Sequence, residues 1–105
     1  MGHKKRKDTR RISSMRNLGE AVEKDLNMAG ITCAQDVMDL GTEGTFVRML
    51  QGRVMLGRSA SCCNALYLYA IYGALHDIDW RLIPEAKKNR FKAFAKELRV
   101  SKVFD

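Results

Sequence analysis

No stretch of this chain is apolar for long enough to cross a bilayer. The uncharged run from Cys62 to Leu75 ends at His76 and Asp77, short of the about 20 residues that a lipid-spanning helix needs. The basic N-terminus is not followed by the apolar segment of a signal peptide, and Arg6 stands where a myristoylation pattern needs Ser or Thr. Histidine is scarce, with His3 and His76 alone. No Ser, His and acid set, no phosphate-binding glycine loop and no metal-ligand spacing is present, so the expectation is a protein that is not an enzyme and holds no metal or cofactor. The three cysteines, Cys33, Cys62 and Cys63, are odd in number and two are adjacent. That is the usage of a reduced, cytoplasmic protein rather than of a disulfide framework.

What the chain does have is a hub and two basic ends. From Ser61 to His76 apolar residues fall on every side of a helical projection, which predicts a core helix buried nearly all round. Tyr67, Tyr69 and Tyr72 bring to it polar tips that need partners, at least one of them a neighbouring backbone group or water. The net charge of +7 is unevenly spread. Residues 1–16 carry Lys4, Lys5, Arg6, Lys7, Arg10, Arg11 and Arg16 against Asp8, whereas residues 17–79 are net acidic and residues 80–105 are basic again.

Taken in order, residues 1–14 show no apolar periodicity and read as a basic arm preceding one helical domain over 15–105. Such an arm either binds polyanions by releasing counterions from phosphates or serves as a solubilising tail, and the charge run alone does not separate the two. Val22, Leu26 and Ala29 recur at helical spacing after Gly19, and Gly30 with Ile31 supplies a left-handed stop. Thr32 is a candidate cap for a helix that Gly41 closes, and Thr42 for another that runs to about Leu50. Two helices around a Gly-Ile turn make a helix-hairpin-helix. DNA-binding versions use a second glycine, absent here, and Glu20, Glu23, Asp25, Asp36 and Asp39 surround the turn with the wrong charge for phosphate, so the turn reads as structural. Gly57-Arg58-Ser59 leads into the hub, where a helix N-terminus beside Arg53 and Arg58 is a candidate anion site; the plain alternative is a glycine turn and a serine cap. Asp79 caps a short turn, Trp80 packs on the hub, and Pro84 opens a last helix to about Arg99. That helix buries Phe91, Phe94 and Leu98 and lines Lys88, Lys92, Lys96 and Arg99 along a neighbouring face, which reads as a solvated stripe or a phosphate-tracking one.

These elements predict an all-α chain, a compact five-helix bundle with a helix-hairpin-helix (SAM-like) core. Met15-Arg16-Asn17-Leu18-Gly19, Leu26, Ala29-Gly30-Ile31, Asp36-Val37 and Leu40-Gly41 in the first half resemble the C-terminal domain of the TfoX/Sxy family of bacterial competence regulators. So do Asn64-Ala65-Leu66-Tyr67, Gly73-Ala74-Leu75, Trp80 and Ile83-Pro84 in the second. The resemblance covers about residues 15–99 and implies a compact helical domain that takes part in controlling transcription of DNA-uptake genes. A fainter similarity, through Leu56-Gly57-Arg58-Ser59, is to the C-terminal domain of the bacterial RNA polymerase α subunit. Together they make DNA the expected partner, contacted by Lys4, Lys5, Arg6, Lys7, Arg10, Arg11, Arg53, Arg58, Lys88, Lys92 and Lys96. The alternative is an adaptor that docks on a transcription regulator or polymerase subunit through Glu20, Glu23 and Asp36.

Overall fold

The computed structural model describes residues 7–58 and 64–101. Four α-helices are present among them: α1 (Glu20–Met28), α2 (Ala34–Met55), α3 (Ala65–His76) and α4 (Glu85–Ser101), with single 3-10 turns at Ile12–Ser14 and Trp80–Leu82 and no strand. α2 packs on both α1 and α3, and α4 closes the other side of α3.

α1 ends as its sequence predicts. Gly30 sits at φ +87°, Gly30 N–H donates to the Asn27 carbonyl and Ile31 N–H to the Leu26 carbonyl at 2.9 Å. This pair of bonds satisfies carbonyls that the helix end would orphan, and Ile31 beyond it is buried. The stop expected at Gly41 is instead a kink. Gly41 turns to φ 75°, ψ −179°, and the chain resumes its helix at once, so two of the five expected helices are one bent element. Buried Thr45 donates its hydroxyl to the Val37 carbonyl across the bend. Helix α2 then runs past Leu50 to Met55, where Gly57 at φ +72° and an Arg58 N–H bond to the Arg53 carbonyl repeat the stop used by α1.

α3 is the hub, with Leu68, Tyr69, Ile71, Gly73 and Ala74 buried. Its first described residues differ from expectation in two respects: Asn64 caps it, accepting from Leu66 N–H at 2.9 Å, and Leu66 faces solvent. The expected helix positions Ser61, Cys62 and Cys63 lie outside the described residues. Tyr69 stacks on Trp80 with centroids 6.2 Å apart and its hydroxyl points at the Lys88 carbonyl. Asp79 caps the Trp80 turn by accepting from Arg81 N–H. Pro84 stands one position before α4, its carbonyl accepting from Lys88 N–H, and α4 buries Phe91 and Ala95 with Phe94 and Leu98 beside them.

The N-terminal segment is part of this core. Ile12 is 0% exposed and Met15 and Leu18 are buried, which corrects the placement of residues 7–14 in a free arm. Helix α2 has no side-chain cap of its own, because Cys33 occupies that position. Its first free N–H groups are filled from outside: Ala34 donates to the Arg10 carbonyl and Gln35 to the Asp8 carbonyl, both at 2.9 Å. Asp8 N–H returns a bond to Gln35 Oε1. Thr32 does not act as the expected cap either. The Asp36 carboxylate reaches back to accept from both Thr32 N–H and its hydroxyl.

At the far end of the hub, Asn17, at φ 71°, donates to the Ile78 carbonyl at 2.9 Å and accepts from Trp80 N–H. This latch ties the entry of α1 to the exit of α3. It passes directly over Gly73, where a Cβ would fall 2.1 Å from Asn17 Nδ2.

Candidate nucleic-acid interface

The cations expected to meet phosphate divide by what already holds them. Lys4, Lys5 and Arg6 lie outside the described residues, and Lys7 is exposed. Arg10 folds back on Asp8, Nη2 to Oδ2 at 2.8 Å. Arg11 reaches Glu23 at 2.6 Å, and Ser13 N–H donates to the same carboxylate at 3.0 Å. Arg53 pairs with Asp25 at 3.0 Å, both side chains largely shielded, so it links α2 to α1 instead of facing outward. Arg58 closes the C-terminal end of α2, with Nη1 3.5 Å from Met28 Sδ. Ser59, and with it the approach to the hub where the anion site at Gly57-Arg58-Ser59 was expected, lies outside the described residues.

On α4 the expected stripe also splits. Lys88 is half-buried, its ammonium 5.9 Å from the Tyr69 and Trp80 ring centroids and 3.5 Å from the Arg81 carbonyl. It stabilises the Trp80 turn by cation–π attraction. Lys92 and Lys96, one helical turn apart, are exposed, and among the described residues neither forms an ion pair. Lys87, which the stripe did not include, lies over the Tyr72 ring at 5.5 Å. Its i+4 relation to Phe91 was the signal that placed it beside the core.

The acidic face thins in the same way. Glu20 is exposed, but Glu23 is buried and Asp36 is occupied by Thr32. The Arg11 guanidinium first, and the Ser13 N–H second, hold the Glu23 carboxyl at about 2, below its ordinary 4.5. A carboxyl depressed on folding adds stability that is complete above its unfolded value and disappears as pH falls through the folded one. Thermal unfolding followed from pH 5 to pH 2 should therefore show a falling Tm, and Glu23→Gln should flatten part of that fall. The remaining slope belongs to Asp8, lowered by Arg10, to Asp36, lowered by Thr32 N–H, and to Asp79, lowered by Arg81. A Glu23→Gln profile parallel to the parent's throughout would remove Glu23 from the acid response.

Among the described residues no helix is long and apolar enough to cross a membrane. A family model described as the TfoX C-terminal domain matches residues 8–95, starting at the residue where the N-terminal segment first bonds to α2. Among solved structures, the crystal structure of an uncharacterized protein from Listeria monocytogenes, triclinic form, is similar with a TM-score of 0.72 and 32% sequence identity, over 84% of this chain and 92% of that one. No curated protein matches the chain.

Proposed function

The chain belongs to the family of TfoX C-terminal domains, and from that premise we propose that it is a non-enzymatic regulator of transcription, of the competence and DNA-uptake type, that meets nucleic acid through phosphate contacts. The observation that carries the reading is the outer stripe of α4. Lys92 and Lys96 stand exposed at i and i+4 on a helix whose adjacent face is anchored by Phe91 and Ala95, so the two charges are held at a fixed spacing by a packed element. Lys4, Lys5, Arg6 and Lys7 add four cations in sequence, of which Lys7 is described and exposed. In this reading the α1–α2 turn is a structural, SAM-like hairpin, and contact with DNA falls to α4 and the N-terminal lysines.

Each phosphate neutralised on duplex DNA contributes about −0.9 to the slope of log K against log salt. The double variant Lys92→Ala, Lys96→Ala should lower the slope by about 2 and weaken binding evenly across DNA sequences, as backbone contacts do. Both positions are exposed, so the fold should be unaffected, and an unchanged slope would take α4 out of the interface. The adaptor reading retains less: of Glu20, Glu23 and Asp36, only Glu20 is exposed and without a bonded partner described above.

A further inference from the structure

A depression of about 380 Å³ lies between the end of α1 and the last turns of α2, lined by Met28, Ala29, Arg48, Gly52, Met55 and Leu56. Gly52 sets its floor. A Cβ there would meet Ala29 Cβ at 2.7 Å, so only glycine lets the two helices touch at this point. The walls are Met28, Met55 and Leu56, and Met55 is 86% and Leu56 55% exposed. Large apolar side chains gathered in one concave place, with water over them, mark an interaction surface more than scattered ones do.

The rim is positive. Arg48 Nε lies 3.4 Å from the Ala29 carbonyl, and Arg58 is held against the Met28 thioether. Among the described residues neither arginine forms an ion pair. Asp25, the carboxylate of α1's last turn, is already neutralised by Arg53.

We propose that this groove docks a short amphipathic helix of a partner protein, one that carries acidic residues beside its apolar face. Methionine walls adapt to differing apolar side chains, and a helix laid into a groove presents them at i, i+3 and i+4. Arg48 and Arg58 then meet carboxylates at the edge, where opposite charge sets orientation and rejects basic helices. A second copy of this chain fits less well. A two-fold contact places each patch against itself, which would bring two positive rims and no added carboxylate into one interface. A nucleic-acid backbone would gain from the arginines but nothing from Met55 and Leu56. The site shares no residue with Lys92 and Lys96, so its fate is separate from that of the phosphate reading.

The test is selection of displayed peptides of about 16 residues, long enough for marginal helicity, with both faces randomised, against the full chain. Enriched peptides should carry apolar residues at i and i+4 flanked by Asp or Glu, and should shift the Met28 and Met55 methyl resonances. Met55→Glu should weaken a selected peptide at least about tenfold, while Met38→Glu, at another exposed apolar position of α2, should not. Arg48→Glu with Arg58→Glu should also weaken it, and a peptide with its acids changed to Lys should regain affinity for that variant. Absence of enrichment, enrichment of Lys and Arg, or insensitivity to Met55→Glu overturns the proposal. So does competition of the peptide by duplex DNA, or a wild-type dimer that Met55→Glu dissolves.

Discussion

Gly73→Ala is expected to lower the melting temperature of this domain by roughly 10–25 °C, although helix propensity alone predicts a gain. Replacing a helix-interior glycine with alanine removes unfolded-state freedom and stabilises by about 1 kcal/mol where space allows. At Gly73 there is no space. The added Cβ would lie 2.1 Å from Asn17 Nδ2 and 2.6 Å from the Ile78 carbonyl oxygen, the two atoms that make the latch bond. Forcing them apart adds overpacking, about 1–3 kcal/mol, to a broken hydrogen bond whose half-buried partners are left unsatisfied, about 1–3 kcal/mol more. The net loss of roughly 3 kcal/mol converts to the stated shift at about 4–8 °C per kcal/mol for a domain of this size.

Two further variants make the steric cause specific. Gly44→Ala, also inside a helix, brings its Cβ only to 3.5 Å from Leu40 Cβ, an ordinary contact, and should raise the melting temperature. Asn17→Gly keeps a residue that tolerates φ 71° while removing the amide. In that background Gly73→Ala should cost distinctly less than in the parent, a coupling that a double-mutant cycle reads directly. Equal costs in both backgrounds would assign the damage elsewhere.

The same latch explains why family resemblance was easier to read than function. Asn17, Gly73 and Trp80 belong to the motifs that carry the resemblance, and their side chains or backbone meet at one joint between the entry of α1 and the exit of α3. Gly30 and Ile31, from the same motifs, close α1. These residues specify a fold, so the sequence signature locates the architecture and is silent about any bound partner. The hub was legible because an uncharged run can only be placed inside. The bend at Gly41 was not, since a left-handed glycine both ends helices and kinks them, and the choice rests on whether the next turn finds a core. Here Thr45, Phe46 and Met49 find one.

Charge was the least legible property. Counting cations predicted an outward role for Arg11 and Arg53, but each has a carboxylate partner at a separation of 12 and 28 residues that no local pattern encodes. Lys88 was drawn inward by Tyr69 and Trp80 for a comparable reason. Among the described residues, what survives as unpaired positive surface is smaller than the net charge suggests, and it includes Lys92 and Lys96 on α4, Arg48 and Arg58 at the end of α2, and Lys7.

That distinction gives the second large effect. Deleting residues 1–6 should leave the melting temperature within a few degrees of the parent's, because the deletion keeps Asp8, Arg10 and Ile12, through which the segment is attached to α2 and the core. Deleting residues 1–14 should abolish cooperative unfolding. The longer deletion removes Ile12 from the core, a loss comparable to truncating a buried isoleucine, about 2–5 kcal/mol. It also strips the Asp8 and Arg10 carbonyls from the first turn of α2, at about 1 kcal/mol for each bond, and leaves buried Glu23 without Arg11 and Ser13. Against a total stability of about 5–15 kcal/mol, those losses consume most or all of what holds the domain together. Ile12→Ala alone should reproduce a large part of the effect in the full-length chain, with every cation still in place. If instead the 1–14 deletion melts as sharply as the parent, the segment is an appendage after all and the corrected boundary is wrong. DNA binding lost on deleting 1–6 would report on Lys4, Lys5 and Arg6, whereas binding lost only on deleting 1–14 would combine the loss of Lys7, Arg10 and Arg11 with the loss of the fold, and Ile12→Ala, which keeps every cation, separates the two.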